Sequence, residues 1–441
     1  MIAFAPLSSA TRQTRQERMN QSSANHAHAA APVNRAPPRP LGDNSLIVFA
    51  TALAVYAGCA FALGHRGPGS TPYFAHLADA FLHGRLDLVE PATTYDLTPH
   101  EGRWYVPFPP LPALLMLPWV ALMGLGATNA LVLSLLAGAL NVALVSRILD
   151  RMTARGWIWI AARQRRWLVL LFALGCVHWH LALEGAVWFL AQVCTLTFIL
   201  LAVERTLAGA SPLAGSAALA IALLGRPNVI FTSPLLLAIH AQRLRDARDG
   251  PIAARLWRFA AASALPLVIS ISMLAGYNYA RFDNPLDFGY ADQQVATDVR
   301  GDLLRYGQFN VRYVLRNLYV MLLAGPSRPH AWALPVPDEH GMSLILTFPA
   351  LLYLVRLRRL NTLAVGALAA LALLLVPLLL YYNTGWKQFG YRFSLDFLTP
   401  LMVLLALAAG TRVTRPLRVL IVLGIIANAW GVLWWYTDWL A

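Results

Sequence analysis

Apolar residues run in long unbroken blocks along most of this chain, and polar positions gather between the blocks instead of alternating with them. The blocks lie at 44–63, 127–148, 167–183, 186–203, 211–225, 228–241, 259–279, 341–355, 362–382, 395–411 and 418–436. A helix rises 1.5 Å per residue, so about 20 apolar residues cross ~30 Å of hydrocarbon. In lipid the backbone must satisfy its own hydrogen bonds, which leaves helices or closed barrels, and unbroken blocks lack the alternation of barrel strands. The pattern predicts an all-α polytopic membrane protein with about 11 transmembrane helices. The short blocks 211–225 and 228–241 meet at Gly225-Arg226-Pro227, which predicts a broken or tilted pair.

The polar stretches set the topology. Residues 1–43 are rich in Ala, Ser, Pro, Arg and His and lack the apolar core of a signal peptide, predicting a disordered, basic cytoplasmic tail before a single transmembrane domain over 44–441. The segment Phe108–Gly124 contains Pro109, Pro110, Pro112 and Pro118. If it crossed the bilayer, the basic stretches 150–166 and 242–258, Arg356, Arg358 and Arg359, and Arg412, Arg415 and Arg418 would all lie outside. Read as re-entrant or interfacial, it places all four in the cytoplasm with the N-terminus, as positive-inside topology favours, and the loops 65–107 and 281–340 outside.

Composition agrees with the pattern. Hydrophobic residues make up 58% of the 441 and charged residues 13%, with mean hydropathy +0.54, which excludes a soluble domain. The net charge of +14 does not call for nucleic acid, because the basic residues sit between apolar blocks. Cys59, Cys176 and Cys194 lie within blocks and read as packing residues.

The candidate chemistry sits in the outer loops. The first is net acidic, with Asp79, Asp87, Glu90, Asp96 and Glu101. Within it, PYFAHLADAFLH predicts a short amphipathic helix with Pro72 at its start and Gly84 at its end. Tyr73, Phe74, Leu77, Phe81 and Leu82 form an apolar stripe for the membrane interface, and His76, Asp79 and His83 share the opposite side. That face reads as a solvated surface, as a carboxylate base in a cleft, or as an incomplete metal site of His76, Asp79 and His83. The later loop carries a second amphipathic stretch, LLRYGQFNVRYVLRNLYVMLL, that fits the headgroup region. His178 and Glu184, in the turn CVHWHLALEGAVW, mark a water boundary or support an acid/base site. Arg226 interrupts a block, and Arg392 and Lys387, the chain's one lysine, lie in a late loop.

The stretches AHLADAFLHGRLDL (75–88), VPFPPLPALLMLPWVALMG (106–124), LAGSAALAIALLGRPNVIFTSPLL (213–236) and FGYRFSLDFLTPLMVLLALA (389–408) resemble the GT-C superfamily of membrane glycosyltransferases. That superfamily includes the protein O-mannosyltransferases and the lipid A aminoarabinose transferases, and the likeness points to an uncharacterised bacterial branch. The resemblance implies an inverting transferase of the bacterial inner membrane that takes a polyprenyl-phosphate-linked sugar on the non-cytoplasmic side. It implies a carboxylate base, with Asp79 first and Asp96 and Glu101 behind it, and a donor phosphate held by Arg226, Arg392 and Lys387. The resemblance is compatible with a divalent metal, leaves the metal requirement open and names no further cofactor. One departure matters: where the family places an acid early in the first outer loop, this chain has Gly69-Ser70-Thr71. Two other classes stay open, a non-catalytic assembly partner of the envelope and a lipid or solute carrier. Phosphate-binding glycine loops, GxSxG, HExxH and CxxC are absent.

Overall fold

The computed structural model describes residues 44–437 apart from 66, 68–70, 210, 249–250, 329–333 and 386. The predicted basic tail and two of the three residues Gly69-Ser70-Thr71 fall outside the described residues.

The fold is mostly helical. Among the described residues seven helices are long and apolar enough to cross a membrane: Ser45–Ala62, Ala130–Ala154, Val187–Ala208, Ile252–Phe282, Thr362–Leu380, Arg392–Ala409 and Arg415–Tyr436. The expected count of about 11 is not met by single long helices, because four blocks are short or broken. Block 167–183 splits at Gly175 into Ala162–Leu174 and His178–Ala182. Block 211–225 holds only Pro212–Leu223. Block 228–241 opens with a tight turn of helix, Pro227–Thr232, before Ser233–Ala247. Block 341–355 breaks at Phe348-Pro349, between Leu344–Thr347 and Pro349–Arg356. Proline accounts for two of these breaks, since it lacks an N–H and pushes the preceding residue out of helical geometry. Arg226, before Pro227, is accordingly extended (φ −152°, ψ 104°).

The basic stretches gather at one end of the bundle. There Trp159 N–H donates to Gly410 O (2.8 Å), Trp157 Nε1 to Asp246 Oδ2 (2.6 Å) and Val413 N–H to Gln164 Oε1 (2.9 Å), while Tyr353 Oη meets Thr414 Oγ1 (3.0 Å). The outer loops gather at the opposite end. The Leu111–Met123 helix starts against the break after Pro212–Leu223, where Leu111 N–H donates to Leu224 O (2.9 Å), and the Leu125–Ala127 turn that follows it packs against Tyr73–Leu82. Its 13 residues span only about 20 Å.

Two predicted amphipathic elements differ in their packing. The Tyr73–Leu82 helix forms within the expected bounds and ends before Gly84, which takes φ +69°. Its stripe, however, mostly faces protein: Tyr73, Phe74 and Leu77 are buried in the core, while Leu82 is exposed. The second stretch is two helices, Thr297–Tyr306 and Tyr313–Leu322, separated at Gly307. The first outer loop also folds a small antiparallel sheet in the order Asp87–Leu88, Arg103–Tyr105, Thr98–His100.

Candidate functional site

A cavity of about 320 Å³ opens between the loops 65–107 and 281–340 and the helices beneath them. Asp96, Arg226, Asn228 and Arg392 line it, with Tyr95, Phe108, Trp188, Tyr290, Tyr381, Tyr382 and Phe393 as its aromatic walls.

Asp96 reaches the cavity through contacts between distant segments. Its N–H donates to Gln294 O (2.8 Å), Gln294 N–H returns to Leu97 O (2.9 Å), and Thr98 Oγ1 donates to Gly289 O (2.8 Å). The residue takes φ +60°, a left-handed conformation that aspartate tolerates better than most. Its carboxylate accepts from Trp188 Nε1 at Oδ2 (2.9 Å) and from Gln293 Nε2 at Oδ1 (3.2 Å). At 6% exposure it has no cation within ion-pair distance among the described residues. Burial pushes its pKa up to about 7, while the Trp188 hydrogen bond and the charge of Arg392 hold it back.

Arg226 lies where the chain breaks after Pro212–Leu223. That helix is 12 residues, or about 18 Å, long. The break packs tightly: a Cβ on Gly225 would lie 2.2 Å from Thr195 Oγ1 and 2.9 Å from Leu111 Cδ2, so only glycine fits there. The Arg226 guanidinium is engaged by Asp396, with Nε 2.7 Å from Oδ1 and Nη2 donating to Oδ2 at 2.8 Å. Asn228 Nδ2 donates to the same Oδ2 (2.8 Å). Its charge is therefore matched by a carboxylate that is itself only 2% exposed.

Arg392 is bound differently. Its Nε donates to Gly385 O (2.9 Å) and its Nη1 to Gln192 Oε1 (3.1 Å), and Gln192 Nε2 donates back to Arg392 O (3.0 Å). These acceptors are neutral. They fix the guanidinium without matching its charge, and no carboxylate pairs with it among the described residues. Its guanidinium carbon lies 4.8 Å from the Phe393 ring centroid and that of Arg226 lies 5.3 Å away, so one ring contacts both cations.

The other sequence-derived candidates lie elsewhere. Asp79 does not line the cavity; it sits on the outer face of its helix, with Oδ2 3.7 Å from His83 Nδ1. His76 and His83 are exposed, and the expected grouping with Asp79 does not form a cluster of three ligands. Glu101 is exposed at the tip of the Thr98–Tyr105 hairpin. It forms, with His100 and Asp283, the one cluster of three metal-type donors among the described residues. Lys387 is exposed and pairs with Glu339 (3.5 Å), so it adds no charge beside Arg392 in the cavity. His178 is buried, 3.3 Å from both Tyr56 Oη and Asn141 Nδ2. Glu184 accepts from Trp435 Nε1 (2.8 Å), away from the cavity.

Sequence reasoning did not single out Asp396, Asn228, Trp188, Gln192 or Gln293. Asp396 stands within FGYRFSLDF, one turn after Arg392, and a carboxylate four residues beyond an arginine is a local signal. It pairs instead with Arg226, about 170 residues away. No protein-family model, curated protein or solved structure matches this chain.

Proposed function

We propose that this chain is a membrane glycosyltransferase of GT-C-like architecture. In this reading it moves a sugar from a polyprenyl-phosphate-linked donor to an envelope acceptor on the non-cytoplasmic face of a bacterial inner membrane. The observation that carries the reading is the cavity itself, where an unpaired carboxylate and a guanidinium with no matching carboxylate share one space beside aromatic walls. Asp96 takes the place of Asp79 as the base.

The acceptor's nucleophile attacks C1 of the sugar, and Asp96 removes its proton. The C1–O bond to phosphate breaks, and the electron pair leaves on the phosphate oxygen, which gains negative charge beside Arg392. A single displacement inverts the configuration at C1. Arg226, held by Asp396 and Asn228, shapes the cavity floor and adds a second guanidinium edge against Phe393. The aromatic walls suit a sugar ring and the first isoprene units of the carrier.

The orientation belongs to the same proposal. The basic end faces the cytoplasm with the N-terminus, and the four short or broken segments complete the crossings to about 11. In this reading the partners are the lipid-linked donor and membrane lipids.

The test is transfer by the full-length protein in lipid nanodiscs, with a panel of radiolabelled polyprenyl-phosphate sugars, followed by release of polyprenyl phosphate. The expected result is release from at least one donor and its loss in Asp96→Asn. A protein that binds the lipid phosphate but releases none from any donor would overturn the transferase in favour of the non-catalytic assembly partner.

A further inference from the structure

The basic end holds a second place where arginines meet without a carboxylate. It lies where Ala130–Ala154, Val187–Ala208 and Ser233–Ala247 come together. Arg155 Nε donates to Leu207 O (2.8 Å) and Arg243 Nη1 to Thr206 O (3.2 Å), so both guanidiniums reach the C-terminal carbonyls of one helix. Capping of that kind uses one donor of each fork. The remaining edges converge. An atom in the position of a Cβ on Gly209 would lie 2.4 Å from Arg243 Nη2 and 3.4 Å from Arg155 Nη2. Gly209 takes φ +85° and is exposed, and the Arg243 guanidinium, which a side chain there would displace, meets the Arg155 edge at this accessible surface.

Nearby acids are already engaged. Asp246 accepts from Trp157 Nε1 (2.6 Å) and Gln242 Nε2 (2.9 Å). Glu204 takes Arg147, Arg151 and Arg205. Neither Arg155 nor Arg243 has a carboxylate within ion-pair distance among the described residues, and Arg243 Nε is buried without a hydrogen-bond partner. Burial, then the charges of Arg243 and Arg151, lower the pKa of Arg155 against the opposing charge of Asp246. Two half-buried like charges held this close cost energy that an anion between them would recover.

We propose that Arg155 and Arg243 form a phosphate-binding site at Gly209, at the end of the bundle opposite the cavity. Guanidinium forks bind phosphate oxygens through paired N–H donors, and basic pockets between helices at a membrane surface take anionic headgroups. The ligand is a phosphate group, supplied either by an anionic phospholipid or as free phosphate.

The test uses the full-length protein in detergent micelles, with phosphatidylglycerol, phosphatidylcholine or inorganic phosphate added. Melting is followed by intrinsic fluorescence and lipid retention by native mass spectrometry. A ligand bound to the folded state alone raises the melting temperature. Phosphatidylglycerol is expected to raise it by several degrees over phosphatidylcholine. Arg155→Gln/Arg243→Gln should lose that rise and weaken phosphatidylglycerol retention at least tenfold, with its melting temperature in phosphatidylcholine near the parent's. If millimolar inorganic phosphate gives the same arginine-dependent rise, the site takes free phosphate; if phosphatidylglycerol alone does, it takes a headgroup. An equal rise in parent and variant, or no rise with either anion, overturns the site. Should the glutamine variant fail to fold, Arg155→Lys/Arg243→Lys keeps the charge but loses the paired donors. Its phosphatidylglycerol retention should fall below the parent's, and unchanged retention overturns the proposal.

Discussion

Glu204 and Asp96 are both carboxylates taken out of water, one at each end of the bundle, and the fold treats them in opposite ways. Glu204, fully buried at the basic end, lies 3.0 Å from Arg147 Nη2, 2.7 Å from Arg151 Nη2 and 3.3 Å from Arg205 Nε. Asp96 has Trp188 and Gln293, both neutral, and a cavity in front of it. Asp396 lies just below Asp96's cavity yet resembles Glu204, since Arg226 matches its charge. A carboxylate surrounded by cations has its charge matched and its lone pairs occupied. A buried carboxylate with neutral partners keeps both protonation states within reach near neutral pH. The contrast separates acids whose charge is matched from Asp96, the carboxylate that faces the cavity.

The largest effect should come from removing that carboxylate. Asp96→Asn keeps the shape and can still accept from Trp188, but it cannot take a proton, so transfer should fall by ~10²–10⁴. In the parent, turnover should rise with pH through about 7 and level off above it, because the base must be ionised. Turnover falling through the same range would make Asp96 an acid instead. Stability should move the other way. The folded pKa is raised, so the native state binds more protons than the unfolded chain below about 7, and stability declines as pH climbs from the ordinary carboxylate range to that value. Asp96→Asn should therefore melt higher than the parent at pH 8 and close to it at pH 4.

Asp396→Asn should sharpen the contrast by failing differently. It leaves the Arg226 charge unmatched beside the cavity floor, and breaking a buried pair in this way costs ~3–5 kcal/mol. The expected result is a lower melting temperature than the parent's at neutral pH. A variant as stable as the parent would show that the pair contributes nothing and that Arg226 is solvated from the cavity.

A smaller effect is expected at Arg392. Arg392→Lys keeps the charge but cannot hold Gln192 Oε1 and Gly385 O while presenting a paired edge to phosphate. Donor KM should rise about tenfold, the scale of one charge-assisted hydrogen bond, with kcat changing less. An unchanged KM would move the phosphate away from Arg392.

The helical class and most block positions were legible because they rest on apolar run length. The break at Pro227 was legible from proline chemistry. Pro349 offered the same signal inside block 341–355, whereas the break at Gly175 was not legible, since only packing decides whether a helix continues there. Asp96 was a candidate with a bland reading, in a segment rich in Thr, His and Glu. Its burial is produced by Gln293 and Gln294, nearly 200 residues later, and no local pattern reports such a contact. The pairing of Arg226 with Asp396 was hidden for the same reason. What misled most was the periodicity around Asp79, which was correct for the helix but silent about what lay beyond each face.

Asp79 therefore gives the smallest expected effect and the most direct control on the comparison. Helical spacing places it opposite Tyr73, Phe74 and Leu77, and those residues are buried against the protein core instead of lipid. Reversing what the apolar face meets also reverses where the polar face points, from an enclosed cleft to the outside of the molecule. There its side chain is about one-third exposed, and its nearest charged partner is the still more exposed His83. A half-exposed carboxylate with a histidine one turn away contributes little, since such surface pairs are worth about 0–1 kcal/mol. Asp79→Asn should leave stability within ~0.5 kcal/mol and turnover within about twofold to threefold of the parent. The two aspartates differ by one variable, enclosure, because both carry the same group in the same loop. A loss of 10² or more in Asp79→Asn, with Asp96→Asn near the parent, would return the base to the first helix. That outcome would require the Tyr73–Leu82 helix to turn its polar face inward when substrate binds.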